Sequence, residues 1–394
     1  MMRQDPIVIL AARRTAIGAF QGVFAQSGAA ALGAAALKGA LEAAAIEPSA
    51  VEEVILGCVL TAGLGQAPAR QAALGANIPI STPTTTVNKM CGSAMRAVMM
   101  AADALRTGDI GIAVAGGFES MTNAPYLLPK ARAGYRMGHG EILDHMFYDG
   151  LQSPWDGQMM GCFAENTAQK YGFSREAMDA FATESVRRSL AAVESGAFVE
   201  EITPVTVKSR KGETIVSQDE TPFTCDIAKI TTLKPAFRKD GTVTAASSSS
   251  ISDGAAAVVL ARESVALARG LKPIARLVAY ASNAHQPEWF TTAPVGAIEK
   301  VLKQAGWSTG DVDLYEVNEA FAAVTMAAIQ DLKLDPAKVN VNGGACALGH
   351  PIGATGARII ATLVSALRAR GLHRGVAALC IGGGEATAVA IELY

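Results

Sequence analysis

The sequence of 394 residues lacks the cysteine patterns and charge runs that mark several classes of protein. Its six cysteines form no CxxC pair and no Cys/His ligand spacing, which excludes a zinc knuckle and a disulfide framework. It has no run of five basic residues, and 36 Asp and Glu balance 34 Lys and Arg. That balance argues against a nucleic-acid partner, although a small anionic ligand needs only a few local cations.

Long apolar runs are missing as well. The most apolar stretch, residues 28–46, is interrupted by Lys38 and Glu42 and therefore predicts an alanine-rich packed helix, not a membrane span. Between Asp5 and Arg13 there are only about six apolar residues, too few for the apolar region of a signal peptide. Half of the chain is nonetheless apolar, which excludes a disordered protein. We expect a cytoplasmic protein of two or three domains, without a membrane partner.

Apolar β-rich runs alternate with helical stretches in the first and last thirds of the chain. This alternation indicates βαβ crossovers and a largely parallel sheet that is covered on both faces. The predicted strands lie at residues 7–11, 51–57, 84–88, 110–117, 273–281, 312–317, 339–343 and 375–394. The predicted helices lie at residues 28–46, 66–75, 92–106, 294–305, 318–331 and 352–369.

The two thirds resemble each other in detail, which indicates an internal duplication. VNKMCGSAMRAV (87–98) and VNGGACALGHPIGATGARII (341–360) both run from a strand through a small-residue turn into a helix. The second half closes with a hairpin at the glycines 382–384, and in the first half the matching return strand is DGAAAVVLA (253–261). We therefore predict α/β halves at 1–120 plus 249–270 and at 271–394, with an inserted loop domain at 121–248.

Four side chains at the ends of predicted strands could carry chemistry. Cys91 stands at a helix start, where backbone N–H groups stabilise a thiolate, and His350 stands at the equivalent turn of the other half. Cys380 precedes three glycines whose N–H groups form an anion pocket. Asn318 stands at a strand-to-helix junction, where a purely structural role as a helix cap is the alternative. If the halves are related by pseudo-twofold symmetry, a thiol and an imidazole meet, as covalent catalysis requires.

Several motifs in one order make the chain resemble the thiolase family from Ile7 to Tyr394. They are NKMCGSAM (88–95), AGGFESMTNAPY (115–126), GTVTA (241–245), DGAAA (253–257), NEAFA (318–322), GGACALGHPIGATGAR (343–358) and CIGGG (380–384). The resemblance implies duplicated βαβαβαββ halves in α/β/α/β/α layers with an inserted loop domain. It implies a reversible Claisen condensation of two acetyl-CoA to acetoacetyl-CoA and CoA, without a metal or redox cofactor.

The resemblance also implies roles for particular residues. Cys91 would carry the acyl group, His350 would take its proton, and Cys380 would move the proton of the second substrate. His350 with a water on Asn318 would form one oxyanion hole, and the N–H groups of Cys91 and Gly382 the other. Residues expected to contact acyl chain or pantetheine are Ser249, Leu151, Met160, Phe237, Ala320 and Phe321, and a phosphate partner is expected in Lys229 or Lys234.

Departures from the family pattern keep alternatives open. Met159 stands where biosynthetic members commonly have His, Ala246-Ser247 replaces Gly-Asn, and Ser250 replaces Gly. Pro222 lies near the position where an Arg of the family often meets the adenine nucleotide. A degradative 3-ketoacyl-CoA thiolase of broader chain length is therefore the alternative. An acyl-CoA-binding protein without turnover would require the loss of a catalytic group, yet all four are present. By resemblance we expect a homotetramer, a dimer of dimers that pairs through residues 125–145.

Overall fold

The computed structural model describes residues 5–209 and 212–394, and these form one mixed sheet system with helices on its faces. The strands are β1 Ile7–Arg14, β2 Gly18–Ala19, β3 Glu53–Gly57, β4 Thr84–Val87, β5 Ile112–Ser120, β6 Tyr126–Leu127, β7 Leu143–Asp144, β8 Val205–Ser209, β9 Gly212–Val216, β10 Ser252–Arg262, β11 Ala275–Ala284, β12 Leu314–Val317, β13 Arg374–Ile381 and β14 Glu385–Leu393. The helices are α1 Ala29–Ala43, α2 Pro68–Gly75, α3 Ser93–Thr107, α4 Met160–Tyr171, α5 Arg175–Glu194, α6 Glu263–Ala268, α7 Ala293–Ala305, α8 Ala322–Leu332, α9 Ala345–Leu348 and α10 Thr355–Arg370.

The main strands follow the order β12-β13-β14-β11-β1-β10-β5-β3-β4, with β2 paired to β10. The two halves meet where β1 pairs with β11. The predicted hairpin at the three glycines is confirmed, because β13 and β14 pair across them. The predicted return strand of the first half is confirmed as well, because β10 pairs with β5 along its length.

The expectation of a largely parallel sheet is wrong. Parallel pairing joins β3 to β4 and to β5, and it joins β12 to β13, whereas the remaining pairs of the main sheet are antiparallel. The reason is the return strand that closes each half, since β10 and β14 run against both of their neighbours. Helix crossovers make the parallel pairs, and the return strands make the antiparallel pairs with their neighbours. The remaining antiparallel pair of long strands, β1 with β11, joins the two halves.

The strand predicted at residues 339–343 is also wrong. Val339 forms only an isolated bridge to Tyr315, and the next residue, Asn340, has a left-handed φ of 48°. The Asn340 side chain instead bonds the backbone N–H and carbonyl of Val317, each at 2.8 Å. A side-chain amide thus makes the backbone hydrogen bonds at the end of β12 that a neighbouring strand would otherwise make.

Three apolar clusters lie between the layers and confirm the α/β/α/β/α order. The central cluster joins α3 and α10 to the inner faces of both halves. The second cluster packs α1 and α2 on the outer face of the first half, and the third packs α7 and α8 on the outer face of the second. The two helices that follow the Cys91 and His350 turns therefore lie side by side in the middle of the molecule.

Residues 121–251 leave the main sheet after β5 and return to it at β10. They contain the two small hairpins β6–β7 and β8–β9 and the helices α4 and α5. α5 begins at an N-cap, since the Ser174 side chain accepts the Ala177 N–H. The domain boundaries remain a prediction. No helix among the described residues is long and apolar enough to cross a membrane.

Candidate functional site

Cys91 lies in the turn between β4 and α3, and its sulfur faces two backbone donors. The preceding residue, Met90, has a left-handed φ of 48°, which sets the sharp entry into the helix. The backbone N–H groups of Gly382 and of Cys91 itself favour the thiolate form of the side chain. Burial nevertheless outweighs these donors and raises the pKa of Cys91 to about 11. At neutral pH the group is a thiol that needs a base before it can act as a nucleophile.

His350 lies in the turn that leads into α10 and is 6 % exposed. Its Nδ1 lies 2.6 Å from Oγ1 of Thr355, which gives its own proton to the Pro351 carbonyl at 2.9 Å. Because that hydroxyl proton is used, Nδ1 must be the protonated nitrogen and Nε2 carries the free lone pair. Nε2 has no partner among the described residues. Burial, followed by the Arg358 charge, lowers the pKa of His350 to about 3, so the ring is a neutral base.

Cys380 and Asn318 end the parallel strands β13 and β12, so both lie at the same edge of the sheet. Cys380 is fully buried, and its pKa is raised well above the usual range by burial and then by the charge of Cys91. Asn318 accepts a hydrogen bond on Oδ1 from Arg358 at 3.1 Å, and its Nδ2 has no partner among the described residues. The edge thus combines a second thiol with an unused amide donor.

The turns enclose a mainly apolar cavity of about 240 Å³ that Cys91 and His350 both line. Predicted residues on its wall are Cys91, His350, Gly382, Ser249, Leu151, Met160, Phe237, Ala320 and Phe321. Further wall residues are Met121, Phe147, Gly150, Met159, Gly161, Ser248, Ser250, Ile251, Phe290 and Ile352. Such a wall suits a flexible, largely apolar arm that ends in a reactive carbonyl.

Specific contacts hold the predicted wall residues together. The Ser249 N–H donates to the Ala320 carbonyl at 3.0 Å, which ties the serine loop to the segment after Asn318. The rings of Phe237 and Phe321 meet edge to face, with centroids 5.9 Å apart. Behind these rings, Cys380 belongs to the same apolar cluster as Ala320 and Phe321.

The predicted residues Cys380 and Asn318 are buried and do not line the cavity wall. Lys229 does not line it either. Its side chain is 75 % exposed, and its ammonium lies 3.0 Å from Asp226. Lys234, the alternative, is exposed too. A phosphate contact from either lysine stays a prediction. Among residues 5–209 and 212–394, no three His, Cys, Asp or Glu side chains converge as a metal site would require.

Sequence reasoning missed the groups behind the site. Thr355 and Arg358 touch His350 and Asn318, and a signal for them was present, because both are polar and one turn apart at the start of an otherwise apolar helix. Glu119 was missed as well, although a charged residue at the end of an apolar, buried strand is itself a signal. Phe290 carried no signal, since only the tertiary packing brings it to the cavity.

Glu119 links two loops around the site. Its carboxylate accepts the N–H groups of Val59 at 3.0 Å, Leu60 at 3.1 Å and Gly353 at 2.9 Å, the last being in the turn that carries His350. Burial outweighs these donors and raises the pKa of Glu119 to about 7. The carboxyl therefore titrates near neutral pH while it holds the His350 turn to the loop after β3.

Comparison with known proteins agrees with this geometry. Residues 7–264 match the family model of the thiolase N-terminal domain, and residues 271–393 match that of the thiolase C-terminal domain. The chain is 49 % identical to an acetyl-CoA acetyltransferase of Pseudomonas aeruginosa and 51 % identical to one of Escherichia coli, with 98 % of each chain covered in both cases. A crystal structure of the Bacillus anthracis acetyl-CoA acetyltransferase superposes with a TM-score of 0.97 at 42 % identity, covering 99 % of both chains. The chain therefore belongs to the thiolase family.

Proposed function

We propose that this protein is an acetyl-CoA acetyltransferase, which condenses two acetyl-CoA to acetoacetyl-CoA and CoA and also catalyses the reverse thiolysis. One observation carries the proposal: a thiol, Cys91, and a neutral imidazole with a free Nε2, His350, line the same apolar cavity. The names of the relatives at about half identity support the substrate.

In the first half-reaction, Cys91 attacks the thioester carbonyl of acetyl-CoA. Because its pKa is raised to about 11, the thiol gives its proton to Nε2 of His350 as the carbon–sulfur bond forms. The tetrahedral intermediate then expels the CoA sulfur, which takes the proton from His350 and leaves as a thiol. The products are acetyl-Cys91 and free CoA.

In the second half-reaction, the Cys380 thiol gives its proton to Nε2 of His350, and the resulting thiolate takes a proton from the methyl group of a second acetyl-CoA. The enolate carbon attacks the acetyl group on Cys91, the carbon–sulfur bond to Cys91 breaks as acetoacetyl-CoA forms, and the leaving Cys91 sulfur takes the proton from His350. Once protonated, Nε2 of His350 with a water on Asn318 would stabilise one oxyanion, and the N–H groups of Cys91 and Gly382 would stabilise the other. One such donor typically contributes about 10²–10³ in rate.

The acyl and pantetheine arm is assigned to the apolar wall. Ser249 would contact the pantetheine amides, and Leu151, Met160, Phe237, Ala320 and Phe321 would enclose the chain. Lys229 would meet a phosphate outside the cavity, where its exposed ammonium can exchange Asp226 for a stronger anion. No metal or redox cofactor has a part in either half-reaction.

Mass spectrometry of the acyl-enzyme tests the division of roles. After incubation with acetyl-CoA, the wild type gains one acetyl group, and Cys91→Ala gains none on that peptide. Cys380→Ala still forms acetyl-Cys91 but makes no acetoacetyl-CoA. An acetylated peptide on Cys91→Ala, or equal loss of both steps on Cys380→Ala, contradicts the assignment.

The degradative alternative is favoured by one feature of the wall, Met159 at the cavity. An apolar thioether there, where a histidine is common in biosynthetic members, suits a longer acyl chain. Thiolysis of acetoacetyl-CoA is compared with thiolysis of a 3-keto C8 thioester. We expect the short substrate to have the higher kcat/KM, and the reverse order would overturn the biosynthetic assignment.

We further propose a homotetramer in the cytoplasm. The segment 125–145 supports the assembly because it exposes large apolar side chains, which is typical of contact surfaces: Tyr126, Leu128, Tyr135, Met137 and Ile142. Six unpaired cysteines support a reducing compartment. Light scattering on the purified protein should give four chains of 40.6 kDa each, and replacing Met137 and Ile142 by Ser should give dimers.

A further inference from the structure

Arg358 is a buried cation whose side chain makes one hydrogen bond among the described residues, and that bond goes to a predicted site residue. The side chain is 1 % exposed, and Nη2 donates to Oδ1 of Asn318 at 3.1 Å. Nε and Nη1 have no acceptor among the described residues, although the Glu316 carboxylate lies 3.8 Å from Nη1. Burying a cation with so little compensation costs stability, so its retention calls for a reason other than packing.

The direction of this hydrogen bond fixes the Asn318 carboxamide. A guanidinium has only donors, whereas a carboxamide has a donor end and an acceptor end. Only Oδ1 can therefore face Arg358, and Nδ2 must face away from it. The flipped amide would set N–H against N–H inside the protein, where both groups would remain unsatisfied.

One turn of α10 thus determines the hydrogen-bonding roles of the two unpaired polar atoms of the site, Nε2 of His350 and Nδ2 of Asn318. Thr355 holds Nδ1 of His350 and leaves Nε2 free as an acceptor, and Arg358, three residues further along α10, holds Oδ1 of Asn318 and leaves Nδ2 free as a donor. Residues three apart lie on the same face of a helix. The first turn of α10 therefore prepares one acceptor and one donor.

We propose that Arg358 is a positioning residue that locks the Asn318 carboxamide with Nδ2 as a hydrogen-bond donor for the reaction. This inference rests on the proposed function, since it gives Nδ2 the task of holding the oxyanion-side water. Arg358 itself touches no reacting atom in this scheme. Its hydrogen bond acts through Asn318 alone. Its charge also lowers the pKa of His350, but the ring is neutral at pH 8 with or without that charge, since an ordinary histidine has a pKa of about 6.5.

A double-mutant cycle on thiolysis of acetoacetyl-CoA tests the proposal. We expect Arg358→Gln, whose amide can present either end to Asn318, to lower kcat by about tenfold to a hundredfold, up to the loss of one oxyanion donor. Asn318→Ala should lower kcat by about a hundredfold. The double variant should then match Asn318→Ala within about twofold, because the second change removes nothing that is still in use. If the kcat of the double variant falls by the product of the two single losses, the proposal is overturned.

Arg14 provides the matched control for a buried arginine. It is also fully buried, but it bonds Glu201 and Asp219 and has no hydrogen bond to Asn318. Arg14→Gln should lower the unfolding temperature and should lower kcat by the same factor with and without Asn318→Ala. If Arg358→Gln behaves in the same way as Arg14→Gln, Arg358 is structural and the proposal fails.

A lysine variant keeps the test decisive if Arg358→Gln does not fold. Arg358→Lys retains the charge near Glu316 and presents only donors, so it should retain the lock on Oδ1 and keep a kcat at least about threefold above that of Asn318→Ala. A kcat equal to that of Asn318→Ala in a folded Arg358→Lys would contradict the proposal. Acetylation of Cys91 in the wild type is followed in parallel, because its absence would refute the proposed function and not the role of Arg358.

Discussion

The His350 ring has one hydrogen-bond partner in the described part of the chain, Oγ1 of Thr355, 2.6 Å from Nδ1. This single contact decides which nitrogen carries the proton. It also fixes the ring plane, since Thr355 is itself anchored to the Pro351 carbonyl. The basicity needed at Nε2 therefore depends on a hydroxyl that no substrate touches.

Replacing Thr355 by Val should lower kcat by about tenfold, the equivalent of one lost buried hydrogen bond. The ring then populates both tautomers, and in one of them Nε2 carries a proton and cannot accept that of Cys91. Steady-state thiolysis measures the effect, and Thr355→Ser, which keeps the hydroxyl, should restore most of the rate. A Thr355→Val enzyme as fast as the wild type would show that the ring is oriented by packing alone.

The depressed pKa of His350 predicts how stability depends on pH. The group has a pKa of about 3 in the folded state and about 6.5 when unfolded, so between these values the unfolded chain binds the additional proton. Stability from this group is present above pH 6.5 and is lost as the pH falls towards 3. Between pH 7.5 and 4.5 the loss amounts to about 3 kcal/mol.

Urea unfolding of His350→Asn and the wild type at one protein concentration isolates this contribution. On going from pH 7.5 to 4.5, the wild type should lose about 3 kcal/mol more than His350→Asn. Equal losses in the two proteins would mean that the His350 ring becomes charged in the folded protein, and they would contradict its assignment as a neutral base.

Glu119 should show the opposite dependence. Its pKa is raised to about 7 in the folded state against 4.5 for an ordinary glutamate, so here the folded chain binds the additional proton. Its contribution is fully present below pH 4.5 and falls as the pH rises through 7. The unfolding free energy of the wild type minus that of Glu119→Gln should therefore shrink by about 3 kcal/mol between pH 4.5 and 8.

A Gln at position 119 also leaves N–H groups of Val59, Leu60 or Gly353 unpaired, each at a cost of about 1–3 kcal/mol. Glu119→Gln should thus be less stable than the wild type at acidic pH, where charge is not the difference. Urea unfolding at pH 4.5 and 8 checks both statements. A pH-independent gap would show that Glu119 stays in one protonation state throughout.

The sequence predicted most of the site because its residues stand at positions that periodicity and turn chemistry mark. Cys91 and His350 lie in small-residue turns that lead into helices. Cys380 lies near the end of the buried strand β13, and Asn318 directly follows β12. The carboxyl ends of parallel strands share one edge of a sheet, so their convergence could be inferred without coordinates. The layer order was implied by the resemblance to the thiolase family.

The missed features depend on contacts that no local pattern encodes. Asn340 satisfies the end of β12 through its side chain, so a β-like run became a turn. The sequence predicts Arg358 and Thr355 only as helix residues, because their hydrogen-bond partners lie outside that helix. The alternation of strands and helices favours helix crossovers and therefore a parallel sheet. It does not reveal that β10 and β14 each run antiparallel to their neighbours.

A last prediction concerns the close approach of the two central helices. A Cβ built on Gly356 of α10 would lie 2.4 Å from the backbone nitrogen of Met95 in α3, so the helices meet backbone to backbone. Gly356→Ala must push α10 away, which should cost about 1–3 kcal/mol of unfolding free energy and separate the His350 turn from Cys91. Gly28→Ala is the matched control, because no atom lies within 4 Å of its Cβ and its φ is −70°. Gly28 is the N-cap of α1, where alanine is less favourable than glycine, so Gly28→Ala should lose about 1 kcal/mol and keep its kcat. Gly356→Ala should lose thiolysis even well below its unfolding temperature. Full activity in Gly356→Ala would show that the contact between α3 and α10 does not set the distance between thiol and imidazole.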